Sequence, residues 1–201
     1  MRHATAVRRL RIIADTCTRC QLLPGGGGLL AAYTFGPVLE HTEDIPVVQV
    51  AFVLDHPAAE LTWGAEPPEC IALAHFLELH KAPVEYYWRP AVWPVANHHI
   101  RRPLCIWDTT GPAAGALDAL AAGDAEPLRL PTPDPAEEQA QLAVERAACL
   151  THLREVAQRY WDDRWRRAHR GNGIFPEHHL WDAVHGYLDL LDHSRIPAKH
   201  G

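Results

Sequence analysis

The run VVQVAFVL, residues 47–54, constrains the fold of this 201-residue chain more than any other segment. Its β-branched and aromatic residues occupy both alternating sets of positions, so a strand here would carry apolar side chains on both faces. Such a strand is typical of the interior of a sheet and not of its edge. The run therefore predicts a central strand.

Three further apolar runs predict neighbouring strands, at residues 31–35, 84–88 and 102–107. Helical spacing and turn residues predict helices at residues 5–23, from 68 or 69 to 80, and at 113–122, the last of them ending at Gly123. Strands interleaved with helices indicate an α+β (α/β) fold. We expect a small mixed sheet of about four strands whose flanking helices lie on one side.

The proline-stiffened segment LPTPDP, residues 130–135, predicts a domain boundary. It divides the chain into an α/β domain, residues 1–130, and a helical region, residues 131–201. A long helix is predicted to begin at Asp134 or Pro135 and to break near residues 171–173. A last helix is predicted from Pro176 to about His193, and the two form a C-terminal helical pair.

The segment YTFGPVLEHTEDIPVVQVAFVLD resembles the active-site hairpin of the nucleotidyltransferases. In that superfamily a Gly-Ser corner follows the first strand, an Asp-x-Asp pair opens the second, and a third carboxylate lies on a later strand. Here Gly36 occupies the glycine position, and Pro37 replaces the serine. Asp44 keeps the first carboxylate while Pro46 replaces the second, and the third is either Glu85 or absent. The alternative is that Gly36-Pro37 is only a tight turn and Asp44 a solvated loop residue.

The resemblance implies that the chain has the nucleotidyltransferase fold but a reduced capacity for nucleotidyl transfer. Carboxylates of this hairpin hold two divalent metals that bridge a nucleotide's phosphates, and the glycine lets the backbone approach them closely. Proline at position 37 removes both a hydroxyl and a backbone N–H. Gly36 and Pro37 are therefore candidate ligand-binding positions, and Asp44 and Glu85 are candidate catalytic carboxylates that form a poor two-metal site.

The last predicted helix carries His178, Asp182, His185 and Asp189 on one stripe, at steps of four, three and four residues. Imidazole and carboxylate groups are ligands for zinc or iron, so His178, Asp182 and His185 are candidate metal ligands. A bound divalent metal needs at least three converging ligands, which His98, His99 or His152 would have to complete. The favoured alternative is a helix face of histidines without a metal.

The segment RYWDDRWRRAHR supplies further candidates. Asp162 and His178 are candidate general acid/base groups at the junction of the two halves. The side chains of Arg166, Arg170, Trp165 and Trp181 are candidate ligand-binding groups. Packing of the two terminal helices against each other is the favoured alternative to stacking on a base for Trp161, Trp165 and Trp181.

Composition excludes some classes of function. The net charge is −6 with histidine neutral, so there is no general signal for nucleic acid binding. No apolar run is long enough to span a bilayer, and the five dispersed cysteines fit reduced thiols. We therefore predict a cytoplasmic protein that has no membrane segment.

The segments WGAEPP, HHIRRPLCIWD and FPEHHLWDAVHGYLDLL are similar to those of an uncharacterised bacterial family that joins a nucleotidyltransferase-like half to a helical half. Three functions stay open. The first is a catalytically degenerate module that binds a nucleotide or other small molecule, nucleic acid or a protein partner. The second is an enzyme, metal-dependent or not, with Asp and His residues at the junction of the halves. The third is a structural homodimer. Whether the protein is an enzyme, and which cofactor it would use, stay open.

Overall fold

The computed structural model describes residues 1–23, 28–40, 42, 44–81, 83–171 and 175–195. Within them lie a five-stranded sheet and six helices. The strands are β1 (Leu29–Phe35), β2 (Val48–Leu54), β3 (Val84–Pro90), β4 (Leu104–Asp108) and β5 (Gly111–Pro112). The helices are α1 (His3–Gln21), α2 (Pro68–Phe76), α3 (Ala114–Ala122), α4 (Pro135–Arg159), α5 (Asp163–Ala168) and α6 (Pro176–Arg195).

The sheet is mixed, with strand order β3-β2-β1-β4-β5. Strands β2 and β3 are parallel, whereas the other neighbouring pairs are antiparallel. The interior position predicted for residues 47–54 is confirmed, since β2 pairs with both β1 and β3. The fifth strand is not expected from the sequence, because its two residues Gly111 and Pro112 carry no strand-like pattern.

Helices cover both faces of the sheet, so the expectation of helices on one side is wrong. Alternate residues of β2 belong to two different cores. Val48, Val50 and Phe52 join the core formed with α1, α2 and α3, while Ala51 points the other way. Ala51 packs with Leu142 and Cys149 of α4 and with Leu190 of α6. A strand that is apolar on both faces requires this cover, because exposed apolar surface is unfavourable in water.

The predicted C-terminal helical pair is present as α4 and α6, which pack against each other. The first of these helices ends at Arg159, earlier than the break predicted near residues 171–173. Its end is set by Asp162, whose Oδ1 accepts a hydrogen bond from the backbone N–H of Trp165 (2.7 Å) and so caps the separate helix α5. Residues 172–174, which include part of the predicted break, lie outside the described residues.

A buried ion pair joins the sheet to the C-terminal helices. Arg89 of β3 donates two hydrogen bonds to the Glu145 carboxylate of α4, at 2.7 and 2.6 Å, and both side chains are only 1 % exposed. The helices therefore share both a core and a buried charge pair with the sheet. The division into domains 1–130 and 131–201 stays a prediction.

A close backbone contact holds α6 against the segment before α2. A Cβ atom on Gly186 would lie 1.9 Å from the carbonyl oxygen of Trp63, so only glycine fits there without a shift. Trp63 and Gly64 are thus fixed directly beneath α6. This contact therefore holds α6 close to the segment that leads into α2.

No helix within the described part of the chain combines the length and the apolar character that crossing a membrane requires.

Candidate functional site

A cleft of about 440 Å³ lies where the two halves of the chain meet. One wall is the loop that leads into α2, and the other walls come from α4, α5 and α6. Its charged lining consists of five carboxylates and one guanidinium, from Glu60, Glu66, Glu69, Glu155, Asp182 and Arg159. The volume lies in the range of small-molecule sites, about 300 to 1,000 Å³.

Asp182 is the most perturbed carboxylate of the cleft. Burial and, to a lesser extent, the carboxylate of Glu66 together raise its pKa to about 6, against the opposite influence of His178 and His185. Glu66 is itself held in place by a hydrogen bond from the indole N–H of Trp88 (3.2 Å). Two neighbouring carboxylates, one of them half-buried, attract a positive charge into the cleft.

Three imidazoles line the opposite side of the cleft. Burial, with smaller contributions from the nearby His169, His152 and His178, lowers the pKa of His179 to about 4. Burial also lowers the pKa of His152, although Glu155 opposes this. Neutral His152 and His179 add no positive charge to the cleft at pH 7, so among its lining residues only the Arg159 guanidinium is permanently positive.

An aromatic wall stands beside these imidazoles. The rings of Trp165 and His169 stack, with centroids 4.1 Å apart and planes at 22°. The ring of His179 meets the ring of His169 edge-on, at 5.0 Å and 90°. Flat aromatic surface next to carboxylates is the chemistry that recognises organic ammonium groups.

The candidate residues of the hairpin lie elsewhere. Asp44, with its side chain 91 % exposed, accepts a hydrogen bond from the Met1 amino group (2.9 Å). Glu85 lies on β3, where it accepts hydrogen bonds from Gln49 (2.7 Å) and from the Tyr87 hydroxyl. Neither carboxylate lines the cleft.

The corner between β1 and β2 has a structural explanation. Gly36 adopts a φ of +71°, and a Cβ atom there would lie 1.9 Å from the Gln49 side-chain oxygen. Pro37 follows it in a short 3₁₀ turn, Gly36–Leu39. The glycine therefore leaves room for the Gln49 side chain, which in turn binds Glu85.

The remaining candidates of the C-terminal half divide between the cleft and the outer surface. Of these, Trp165 and Asp182 line the cleft. Arg166 instead pairs with Glu177 (2.7 Å) and lies over the Tyr160 ring, and Arg170 is exposed outside the cleft. His178 is exposed, and its Nδ1 accepts a hydrogen bond from the backbone N–H of Phe175 (3.3 Å) at the start of α6.

The expectation that the tryptophans pack the terminal helices together is wrong for two of them. Trp161 is 82 % exposed and Trp181 is 63 % exposed. Trp181 contacts the His185 ring at 4.2 Å on the outer surface of α6. The homodimer interpretation stays a prediction for this surface.

The predicted metal ligands do not form a cluster. Within the described residues, the one group of three with a ligand atom from each within 4.8 Å of the others is His98, Asp189 and His193. Asp189 belongs to the predicted stripe, and His98 is among the residues expected to complete it. His193 was missed, although its spacing of four residues from Asp189 places both on one helix face.

Sequence reasoning also missed four carboxylates of the cleft, those of Glu60, Glu66, Glu69 and Glu155, and the imidazole of His169. Glu66 lies in the turn-rich segment before α2, where no periodic pattern marks it. Glu155 and His169 lie on α4 and just after α5, in positions that also suit solvent-exposed ion pairs. Only the packing of the two halves shows that these side chains line one cleft with Asp182.

These features define a mixed α+β protein with an acidic, histidine-lined cleft between the segment that leads into α2 and the C-terminal helices. The chain belongs to the family described as "Domain of unknown function (DUF7711)", which matches residues 1–196. The expectation of an uncharacterised family that covers nearly the whole chain is thereby confirmed. No curated protein and no solved structure matches this chain. The nucleotidyltransferase-like relationship and the bacterial origin stay predictions.

Proposed function

We propose that this protein is a binding module that takes up a small organic cation, an amine, in the cleft between its two halves. The charge of the lining carries the proposal: five carboxylates face one guanidinium in a cavity of about 440 Å³. The cationic ligand would sit between Asp182 and Glu66 and against the ring of Trp165. Hydrogen bonds between charged groups are the strongest available for such recognition.

The same charges disfavour a nucleotide in this cleft. A triphosphate would be repelled by the carboxylates, and the neutral imidazoles of His152 and His179 would offer little compensation. At the hairpin, the carboxylate of Asp44 is engaged by an amino group, and Glu85 is engaged by Gln49 and Tyr87. These contacts support a catalytically degenerate hairpin over one that carries out metal-dependent nucleotidyl transfer.

One observation favours a second candidate, an enzyme that uses Asp182 as a general acid or base. A carboxyl group with a pKa of about 6 exchanges protons readily near neutral pH, and His179 lies in the same cleft. The binding module is preferred because all four residues predicted to be catalytic, Asp44, Glu85, Asp162 and His178, lie outside the cleft. Mass spectrometry of spermidine recovered after long incubation with the protein separates the two: unchanged spermidine supports binding, and a converted product supports the enzyme.

Calorimetric titration of the full chain with spermidine at pH 7.5 and low salt tests the proposal. We expect one saturable site whose affinity falls as the pH is lowered through 6, because protonation removes the charge of Asp182. Asp182→Asn should bind about 10- to 100-fold more weakly, the loss expected for one hydrogen bond between charged groups.

The matched control is Asp44→Asn, which removes the same charge from an exposed position outside the cleft. It should bind spermidine as the wild type does. Equal weakening by both variants would mean that spermidine responds only to net charge, and the proposal would fail. Saturable binding of ATP with magnesium, unaffected by Asp182→Asn, would favour the nucleotide-binding module instead.

A further inference from the structure

A second group of polar side chains involves the same helix as Asp182, further along its length. Asp189 and His193 are four residues apart on α6, and His98 reaches them from the loop before β4. His98 Nε2 lies 2.9 Å from Asp189 Oδ2, and His193 Nδ1 lies 3.3 Å from Asp189 Oδ1. The two imidazole rings have centroids 4.5 Å apart. One potential ligand atom from each of the three residues therefore lies within 4.8 Å of the other two.

These separations suit a shared metal ion. Bonds of about 2.0–2.2 Å from zinc to nitrogen and oxygen place neighbouring ligand atoms roughly 2.9–3.5 Å apart. Binding would replace the hydrogen bonds around Asp189 without a large movement of the backbone. Two imidazoles and one carboxylate are also a common ligand set for divalent transition metals.

The carboxylate is held in position by a partner outside the group. The indole N–H of Trp63 donates a hydrogen bond to Asp189 Oδ2 at 2.7 Å. The Trp63 ring stacks on the ring of Tyr87, with centroids 5.0 Å apart and planes at 8°, which fixes the indole in turn. A hydrogen-bonded residue that orients a ligating carboxylate is a regular feature of metal sites.

His98 is available as a ligand through Nε2. Its side chain is only 3 % exposed, and Nε2 is the ring nitrogen that lies 2.9 Å from Asp189 Oδ2. The ring contacts the rings of Trp63 and His193, with centroids 5.0 and 4.5 Å away, which fixes its orientation. A neutral imidazole binds a metal through one ring nitrogen while the other carries the proton.

We propose that His98, Asp189 and His193 bind a divalent transition-metal ion, with zinc as the reference ion. His193, whose side chain is 41 % exposed, gives the ion access from solvent and leaves room for at least one further ligand. None of the three residues lines the junction cleft, so this site is separate from the proposed amine site. The metal site does not depend on the proposed function.

Zinc titration of the untagged full chain, after treatment with a chelator, tests the proposal. A chromogenic zinc indicator serves as competitor, and cobalt absorption spectra report the coordination. We expect one zinc ion per chain and a cobalt spectrum of a low-coordinate nitrogen and oxygen site. His193→Ala should weaken zinc binding at least 100-fold, and because His193 is on the surface this variant should keep the fold.

His185→Ala is the matched control, since it removes an exposed histidine of α6 that lies outside the group. It should bind zinc as the wild type does, and Asp189→Asn should lose zinc while it keeps an acceptor for the Trp63 N–H. Absence of stoichiometric zinc in the wild type would overturn the proposal. So would full retention in His193→Ala, or a loss in His185→Ala equal to that in His193→Ala.

Discussion

The hairpin around Asp44 and the cleft around Asp182 both present an aspartate, but in opposite surroundings. The side chain of Asp44 is 91 % exposed and is paired with an amino group. Asp182 lies among other carboxylates and neutral imidazoles, and burial raises its pKa to about 6. The hairpin has the residue order that resembles a known active-site motif, whereas the cleft has the carboxylate with the raised pKa.

A carboxylate at a motif position therefore need not have the surroundings that favour ligand binding. A solvated, ion-paired carboxylate contributes little to the binding free energy of a ligand, because water screens its charge. A carboxylate that folding has partly removed from water, next to a second one, gains much more from an incoming cation. The cleft can therefore hold a ligand that the hairpin would not.

The greatest loss of stability is expected from a change to the buried ion pair that joins the sheet to α4. Glu145→Gln leaves the Arg89 guanidinium buried without a counter-charge, and both side chains are 1 % exposed in the wild type. Loss of one partner from such a pair costs about 3–5 kcal/mol. We expect a fall of that size in the free energy of unfolding, measured by urea denaturation.

The control for this prediction is Glu138→Gln on the same helix, which breaks the ion pair with Arg101, itself half-exposed. It should cost about 1 kcal/mol or less. Similar losses in the two variants would show that burial of the Arg89–Glu145 pair does not stabilise the junction.

A smaller effect is expected from Gly186→Ala, which tests the contact of α6 with the segment that carries Trp63. The added Cβ atom would lie 1.9 Å from the Trp63 carbonyl oxygen, so the backbone must shift. Overpacking of this kind costs about 1–3 kcal/mol. Thermal unfolding should show a midpoint lowered by several degrees, and the affinity for spermidine should fall with it.

Gly115→Ala on α3 is the control, because a Cβ atom there meets nothing within 4 Å. Alanine is favoured over glycine in helices, so this variant should be as stable as the wild type or slightly more stable. A Gly186→Ala protein as stable as Gly115→Ala would contradict the close contact.

The smallest effect on stability is expected from a change to Asp182, and it should depend on pH. The pKa of Asp182 is raised from 3.8 to about 6 on folding, so this group favours the folded state below pH 4, and that contribution is lost as the pH rises through 6. Asp182→Asn removes the cost of the buried charge. It should therefore be about 1–2 kcal/mol more stable than the wild type at pH 7.5, after allowance for solvent screening.

This advantage should shrink at pH 4.5, where wild-type Asp182 is largely protonated. His179, whose pKa is lowered to about 4, is present in both proteins, so its own titration largely cancels in the comparison. Paired urea denaturation curves at the two pH values provide the measurement. An advantage that is absent at pH 7.5, or larger at pH 4.5, would contradict the raised pKa.

Much of the fold could be predicted because each long element has a local pattern. The apolar runs predicted β1 to β4, and proline and glycine marked the beginning of α6 and the end of α3. The cap at Asp162 was missed because an Asp-Asp pair in a helical pattern suits exposed ion pairs equally well. The two-residue β5 is defined by pairing alone.

The candidate site was only partly predictable. Helical spacing identified Asp182 and Asp189 as candidate site residues, since residues four or seven apart share a face. Glu66 and His98 come from loops, and their positions depend on how the sheet packs against α6. Contacts between residues far apart in sequence leave no periodic signal in a single chain.

Carbon-detected NMR of the aspartate carboxyl groups, followed over pH with and without spermidine, separates the cleft from the hairpin in a single measurement. We expect one aspartate that titrates near pH 6, assigned to Asp182 by its absence in Asp182→Asn, and a shift of that titration to lower pH when spermidine is added. The Asp44 signal should not respond to spermidine. Absence of an aspartate that titrates near 6, or a response to spermidine at Asp44 and not at Asp182, would contradict an amine site in the cleft.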